Sequence, residues 1–460
     1  MSARRGQTRL DLAPGRGRIL PARLTPGRAI TLAFGGVLAL GTFLLSLPIA
    51  VQGKSATLIE ALFTATSALC VTGHVVVDTP VFWSPFGQVV ILALIQIGGF
   101  GVMSLATLLG LLVARRLGLR TRLTAVSETH TVAVGDVRRV LTGVALITLI
   151  TQTLVATVLA LRFWLGYGED GPRAVWLGVF HAVSSFNNAG FALFSDNLMS
   201  FVADPWICLP ICLAIILGGL GFPVIMELRR RILLPRRWTL NTMTVIVGSA
   251  VLLVFGAVSL TALEWDNPGT LGPLSPGGRL LAGFTMSVMP RTAGFNSIDV
   301  SQMHSESWFV TDILMFIGGG PAGTAGGLKI TTFAVLFFII VAELRGDTAV
   351  NMFNKRLPRS THREALTVAL LSVALVVGST LAIMLMTSFS FERVLFEVIS
   401  AFGTVGLSTG ITADLGVGGQ LILILLMFIG RLGPVLLGSA LALTTEKRMY
   451  ELPKERPIIG

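Results

Sequence analysis

The sequence predicts an all-α integral membrane protein built from four helix–pore-loop–helix repeats in a pseudo-fourfold arrangement, with eight transmembrane helices and four pore helices. Three observations lead there. Hydrophobic residues make up 53% of the chain and charged residues 13%, with mean hydropathy +0.80, where a soluble domain carries about 25% charged residues. The apolar runs approach the ~20 residues a spanning helix needs, not the ~10 of a barrel strand. A short polar loop bearing a glycine recurs around Gly73, Gly190, Gly294 and Gly406, at spacings of 117, 104 and 112 residues. A unit repeated at nearly constant period is one supersecondary structure used four times.

The register of the repeats holds beyond the glycines. Ten residues before each stands Phe63, Phe180, Phe284 or Phe396, and six before stands Ser67, Ser184, Val288 or Ser400. Asp78, Asp196, Asp299 and Asp414 follow the glycines by five, six, five and eight residues.

Each repeat reads as a spanning run, a run too short to span that ends at the glycine loop, and a second spanning run. The first runs cover about 30–50, 140–165, 242–263 and 365–388. The short runs cover 57–70, 174–187, 277–290 and 392–403, and the closing runs about 86–114, 204–228, 308–342 and 418–443. Apolar runs of about 10–14 residues suggest re-entrant segments. The resulting division is a basic N-terminal tail 1–28, repeat 1 at 29–125, repeat 2 at 126–237, repeat 3 at 238–360, repeat 4 at 361–446 and a C-terminal tail 447–460.

Charge sets the orientation. Of the excess that gives +11 overall, most lies in the tails and between repeats. Arg115, Arg116, Arg120, Arg122, Arg138 and Arg139 follow the closing run of repeat 1; Arg229, Arg230, Arg231, Arg236 and Arg237 follow that of repeat 2; Arg345, Lys355, Arg356, Arg359 and Arg363 follow that of repeat 3. The positive-inside rule then places both termini in the cytoplasm of a multi-pass protein of the plasma membrane, with the glycine loops entering from outside. It also makes nucleic acid an unneeded explanation for the basic residues. Residues 1–28 lack the apolar core of a signal peptide. Cys70, Cys208 and Cys212 have no His or Cys cluster around them that would suggest a metal site or a disulfide framework.

Irregular backbone at membrane depth is tolerated only inside protein or beside water. Four glycine loops meeting on one axis would ring a narrow path with backbone carbonyls, which can replace the hydration shell of a cation. Glycine permits positive φ and leaves the path free of side chains. The negative C-terminal end of each half-helix favours a cation there. The expected filter is Val71, Thr72 and Gly73; Asn188, Ala189 and Gly190; Thr292, Ala293 and Gly294; Thr404, Val405 and Gly406. Asp78, Asp196, Asp299 and Asp414 read either as solvated loop acids or, as a matched set, as a vestibule that concentrates cations. A glycine run such as Gly98-Gly99-Phe100-Gly101 also fits a helix-packing notch.

These loops, the repeat and the order of segments from about 29 to 446 resemble the Trk/Ktr/HKT superfamily of potassium transporters. Asn187-Asn188-Ala189-Gly190-Phe191 and Arg291-Thr292-Ala293-Gly294-Phe295 are the most specific signatures. The resemblance implies uptake of K+, or of Na+ on the same scaffold, through a filter with one glycine per repeat. In plant members a serine at the first of these positions goes with sodium; Gly73 stands there here. It further implies a Ktr-type membrane subunit, a homodimer, and a cytoplasmic ring of nucleotide-binding (RCK-type) regulatory subunits; no nucleotide is expected on this chain. His74 departs from the family, where an apolar residue is usual, and two readings are open: an ordinary loop histidine or a source of external pH sensitivity.

The closing run of repeat 3 is interrupted by Gly318-Gly319-Gly320-Pro321-Ala322-Gly323-Thr324-Ala325-Gly326-Gly327. Each interior Gly costs about 1 kcal/mol and Pro about 3 kcal/mol relative to Ala, so no regular helix is expected. The sequence reading is a gating loop, and in the resembled family an intramembrane loop has that role. Shorter glycine clusters at 98–101, 218–223 and 430–434 suggest a kink shared by all four closing helices. Arg431 is the basic residue of an apolar run, a placement that is functional by default. In the family an arginine here projects into the pore below the filter; the competing reading is pairing with a carboxylate. Glu60 and Glu397, in the short runs, are expected to satisfy backbone donors, and Lys329 to anchor the end of the glycine loop. A coupled solute symporter would need paired inverted repeats around a midplane pocket, and an enzyme would need a cluster of chemically active side chains; neither pattern is in the sequence.

Overall fold

Capping chemistry explains where the short helices begin. In the computed structural model, which describes residues 26–121 and 134–443, α1 (Pro26–Leu45) is followed by α2 (Leu58–Leu69). Thr57 and Glu60 close a capping box on α2: the Thr57 amide donates to the Glu60 carboxylate at 2.7 Å and the Glu60 amide to the Thr57 hydroxyl at 3.3 Å. The one-turn α3 (Thr79–Phe82) leads into α4 (Pro85–Thr121). Next come α5 (Val134–Tyr167), α6 (Gly171–Phe186), α7 (Pro205–Leu220) and α8 (Phe222–Arg231). Third are α9 (Leu240–Glu264), α10 (Pro276–Val288), α11 (Ser305–Phe316) and α12 (Ile330–Arg345). A hairpin of β1 (Asn351–Met352) and β2 (Lys355–Arg356) precedes α13 (Arg359–Met386), α14 (Phe391–Gly403) and α15 (Gly416–Leu443). Proline in the first turn of α6 and α10 costs nothing, because those amides have no helical partner.

The short helices α2, α6, α10 and α14 form the centre. Each packs against the closing helix of the segment before it: α4 on α6, α7 on α10, α11 on α14, and α15 back on α2. Phe63, Phe180 and Phe396 are fully buried in this core, and Phe284 is half-buried against it. Inside a membrane bundle van der Waals packing, not transfer from water, holds helices together, so the repeated phenylalanine is a packing anchor. Burial also sorts the long helices. The apolar spans of α5, α9 and α13 are 22–28% buried, against 56% and 50% for those of α4 and α15. The opening helices therefore turn apolar side chains such as Leu149, Val258 and Leu370 outward, as a lipid-facing ring requires.

Eight spanning helices were expected; by length and composition alone five helices among the described residues pass as spans, or six if the bent pair α7–α8 is one span. The apolar stretch of α1, Ile30–Leu45, is shorter, and the closing run of the third repeat is divided into α11 and α12 by residues 317–329. A kink shared by all four closing helices was expected, and a break is present in two of them. α4 and α15 run unbroken through Gly98–Gly101 and Gly430–Gly433. Only the middle two closing runs break: α7 and α8 meet at 98° across Gly221, whose φ is +88°, and α11 stops at Phe316. The unbroken helices keep their glycines for close approach. A methyl group on Gly98, Gly218 or Gly430 would collide with the carbonyl oxygen of Leu69, Phe186 or Phe402, each the fourth residue before its loop glycine. The notch reading of Gly98 therefore holds and extends to Gly218 and Gly430. The tail 1–28, apart from its last three residues, and the tail 447–460 lie outside the described residues, as do the side chains of the arginines from 115 to 139.

Candidate functional site

The loops after the short helices share one backbone pattern. Val71, Asn188, Thr292 and Thr404 have φ of 56°, 60°, 62° and 51°, and two residues on Gly73, Gly190, Gly294 and Gly406 have φ of 95°, 70°, 72° and 96°. Left-handed geometry costs a non-glycine residue roughly 1–2 kcal/mol, so four such residues in register mark a conformation held by its surroundings. The holding bonds are visible. The amides of Thr72, Ala189 and Val405 donate to the carbonyls of Ser67, Ser184 and Ser400 at 2.8, 2.7 and 2.8 Å. The Ser67 and Ser400 hydroxyls accept from the Gly73 and Gly406 amides at 3.1 and 3.0 Å, while Ser184 donates to the Phe191 carbonyl at 2.7 Å. Val288 has no hydroxyl. In its loop the Ala293 amide reaches Met289 instead, and the buried Arg291 guanidinium grips Ser249 of α9 at 2.8 and 3.2 Å.

The four glycines stand side by side in a closed order. A methyl group on Gly73 would lie 2.5 Å from the Ala189 carbonyl oxygen, and one on Gly190 would lie 2.8 Å from that of Ala293. On Gly294 it would meet the Val405 carbonyl, and on Gly406 the Thr72 carbonyl, returning to the first loop. Any side chain at these positions would enter space occupied by the next loop's backbone. The hydroxyls of Thr72, Thr292 and Thr404 are buried and, among the described residues, have no hydrogen-bond partner.

Outside the ring, Asp78 and Asp196 line a mouth shared with Gly73, Gly190 and Asn296. Asp78 accepts from Ser195 of the next segment at 2.6 Å. Asp196 accepts from the Ser200 amide at 2.9 Å and also from its hydroxyl. Asp299 caps its own turn through Ser301 at 2.7 and 2.9 Å, and Asp414 is exposed on the turn before α15. The structure thus brings together two of the four expected acids.

Inside the ring lies the glycine segment between α11 and α12. Its backbone is strapped to the second segment: the Gly320 and Thr324 amides donate to Gly219 and Gly218 at 2.8 and 3.1 Å, and the Phe222 amide donates to Ala322 at 3.2 Å. Gly318 and Ile330 close its base by bonds with Leu328 and Gly319 at 2.8 and 3.2 Å. The Thr324 hydroxyl donates to the Asn188 side chain at 3.0 Å, whose amide donates in turn to the Arg291 carbonyl at 3.2 Å. Side chains on Gly326 or Gly327 would strike Thr404 or Gly403. Gly318, Gly319, Gly320, Gly323, Gly326 and Gly327 are all buried in this contact. Arg431 is buried and donates to the Thr324 carbonyl and, at 3.3 Å, to that of Gly98. Its partners are carbonyls rather than a carboxylate. Lys329 donates to the Ala325 carbonyl at the end of the segment.

Sequence reasoning missed three things: the serine straps, the Arg291–Ser249 grip and the Asn188–Thr324 bond. The serines were visible as a register, and Val288 as its exception. Nothing in a linear sequence pairs residues 136 positions apart. His74 is fully buried, with Nδ1 3.5 Å from Glu397. Glu397 accepts the Thr409 amide at 2.9 Å, and Glu60 accepts that of Thr57, so both satisfy backbone donors as expected.

Comparison with known proteins agrees with this geometry. A family model described as a cation transport protein, TrkH, matches residues 30–448. The Ktr system potassium uptake protein B of Bacillus subtilis is 37% identical over 93% of this chain and 95% of its own length. Its namesake in Vibrio alginolyticus is 38% identical over 94% of both chains. The potassium/sodium uptake protein NtpJ of Enterococcus hirae is 34% identical over 95% of this chain and 98% of its own. The crystal structure of the potassium transporter TrkH from Vibrio parahaemolyticus superposes with TM-score 0.70 at 17% identity, covering 93% of this chain and 86% of that one, which shows a common fold. The expected resemblance is borne out: this mostly helical, multi-pass membrane chain belongs to the TrkH family of cation transport proteins, within its Trk and Ktr relatives.

Proposed function

We propose that the chain is the K+-conducting subunit of a Ktr-type uptake system in the plasma membrane. The observation that carries this is the closed ring of Gly73, Gly190, Gly294 and Gly406, each facing a carbonyl of the next loop. Such a ring offers carbonyl oxygens in place of a cation's water. Thr72, Thr292 and Thr404 add unpartnered hydroxyls to it. In this reading the four repeats, 29–125, 126–237, 238–360 and 361–446, are related by a pseudo-fourfold axis. Eight spanning segments surround four pore helices, and α7–α8 and α11–α12 are broken spans. Residues 71–73, 188–190, 292–294 and 404–406 select the ion, and Asp78, Asp196, Asp299 and Asp414 form the vestibule.

The segment Gly318–Gly327 is the gate beneath the filter, and Arg431 its latch. Exposed Arg229–Arg231, Arg236 and Arg237 support a cytoplasmic reading of their side, and with it of both termini. The names of the Ktr relatives, as parts of a Ktr system, support a partner subunit; the family resemblance adds the expectation of a homodimer and a separate nucleotide-binding ring. The relative named for both potassium and sodium supports a second reading, a Na+-permeable or Na+-coupled transporter on the same scaffold.

Expression in a bacterium lacking its potassium-uptake systems tests both readings. Growth at low K+ is expected, with and without Na+. Absence of growth together with Na+ influx would select the sodium reading.

A further inference from the structure

Nine residues before each filter glycine the short helices carry Thr64, His181, Thr285 and Glu397. Two of these hold the strand that leaves the ring. The Thr409 amide donates to Glu397 at 2.9 Å, and the Leu193 amide to His181 Nε2 at 3.3 Å; Thr409 and Leu193 each stand three residues after their glycine. The His181 tautomer is fixed by Nδ1, which donates to the Leu177 carbonyl at 2.8 Å. Thr285 instead bonds its own helix at Leu281. The same two side chains also reach the next segment at one equivalent place, the residue directly after the glycine. His181 lies against Phe295 with ring centroids 6.4 Å apart, and Glu397 lies 3.5 Å from His74 Nδ1.

We infer that Glu397 is a positioning residue for ion selection, acting with His74 as a clamp that sets the spacing of the fourth and first filter loops. This rests on the reading of those loops as the filter. The carboxylate is built into its place. One oxygen takes the Thr409 amide and the Ser408 hydroxyl, and the other takes the Thr412 hydroxyl at 2.9 Å. Glu397 and His74 are both wholly buried, and among the described residues His74 Nε2 has no partner. A carboxylate that gathers three groups of one exit strand and faces a side chain of the neighbouring repeat fixes two loops at once. His181 makes the corresponding link from the second loop to the third through an aromatic contact. The ring is therefore fastened from behind at two opposite junctions, and a carbonyl ring discriminates between ions of different radius only while its spacing is held.

The experiment compares wild type with Glu397→Ala, Glu397→Gln and His74→Leu, in potassium-uptake-deficient cells and in proteoliposomes. It measures half-saturating K+, maximal rate and the K+ to Na+ flux ratio. Loss of a buried hydrogen bond to a charged group corresponds to about a tenfold change or more. E397A is expected to raise half-saturating K+ and lower the flux ratio by that factor while its maximal rate stays near wild type. E397Q, which keeps an acceptor for the Thr409 amide, recovers most of both quantities. H74L breaks only the link between repeats and moves the ratio in the same direction by less. Where E397A fails to reach the membrane, H74L decides. An E397A or H74L protein that inserts normally and keeps the wild-type ratio overturns the clamp, as does a fall in maximal rate alone. A wild type without K+ uptake overturns the transport reading and the clamp with it. Wild-type uptake with unaffected variants overturns the clamp alone.

Discussion

Ser67 and Ser400 show how a repeated residue becomes a structural part. Each accepts a loop glycine's amide through its hydroxyl and the preceding residue's amide through its carbonyl. Removing the hydroxyl leaves a buried amide without its acceptor, which costs about 1–3 kcal/mol. Ser67→Ala and Ser400→Ala should each lower the thermal denaturation midpoint in detergent and raise half-saturating K+; unchanged values in both would remove the strap. These residues were legible as a register but not as a bond, because spacing along the chain fixes which residues recur and not which atoms meet. His74 illustrates the opposite limit. Its position after Gly73 said nothing of its surroundings, and α14 contributes Glu397 from the far end of the sequence beside it.

Glycine clusters recur in all four closing helices, but their consequences diverge. A cluster can interrupt a helix or let another backbone approach it, and composition alone does not separate the two. At Gly98 and Gly430 the approach of a neighbouring loop carbonyl takes up the missing side chain, and the helix continues. Between α11 and α12 the density of glycine and the proline exceeds what one helix tolerates. There the released amides find partners on Gly218, Gly219 and Leu328. The break itself was therefore readable, whereas its attachment to α7 and to Asn188 depended on the fold. Arg431 closes the arrangement by donating to Thr324 and Gly98. A charge-assisted bond to a carbonyl contributes about 1.5–3 kcal/mol. Arg431→Ala should thus free the segment and raise basal K+ flux by about tenfold or more, and deletion within 318–327 should raise it further. Flux measured in proteoliposomes without any regulatory partner checks this. A folded R431A protein with wild-type or lower flux argues against a gate.

Across the whole molecule charge and geometry are arranged along one direction. The sequence pattern led to the expectation that four units with an even number of crossings face the same way, but it did not say which unit neighbours which. The cyclic packing of α4 on α6, α7 on α10, α11 on α14 and α15 on α2 supplies that order. Less legible was the unequal use of the acids, because turn geometry decides whether a carboxylate caps its own backbone, as Asp299 does, or lines the mouth, as Asp78 and Asp196 do. The mouth is acidic although the chain carries +11 overall, so a cation approaching from outside meets a local field opposite in sign to the net charge. Such a field acts on encounter and is screened over about 8 Å at physiological ionic strength. Asp78→Asn combined with Asp196→Asn should therefore raise half-saturating K+ by about threefold at low ionic strength and leave the maximal rate unchanged, a size set by ordinary surface electrostatics. Raising ionic strength with an impermeant salt should shrink the difference toward nothing. Uptake measured across a salt series decides the point: a salt-independent difference would mean that the two aspartates act by holding Ser195 and Ser200 in place rather than by attracting the ion.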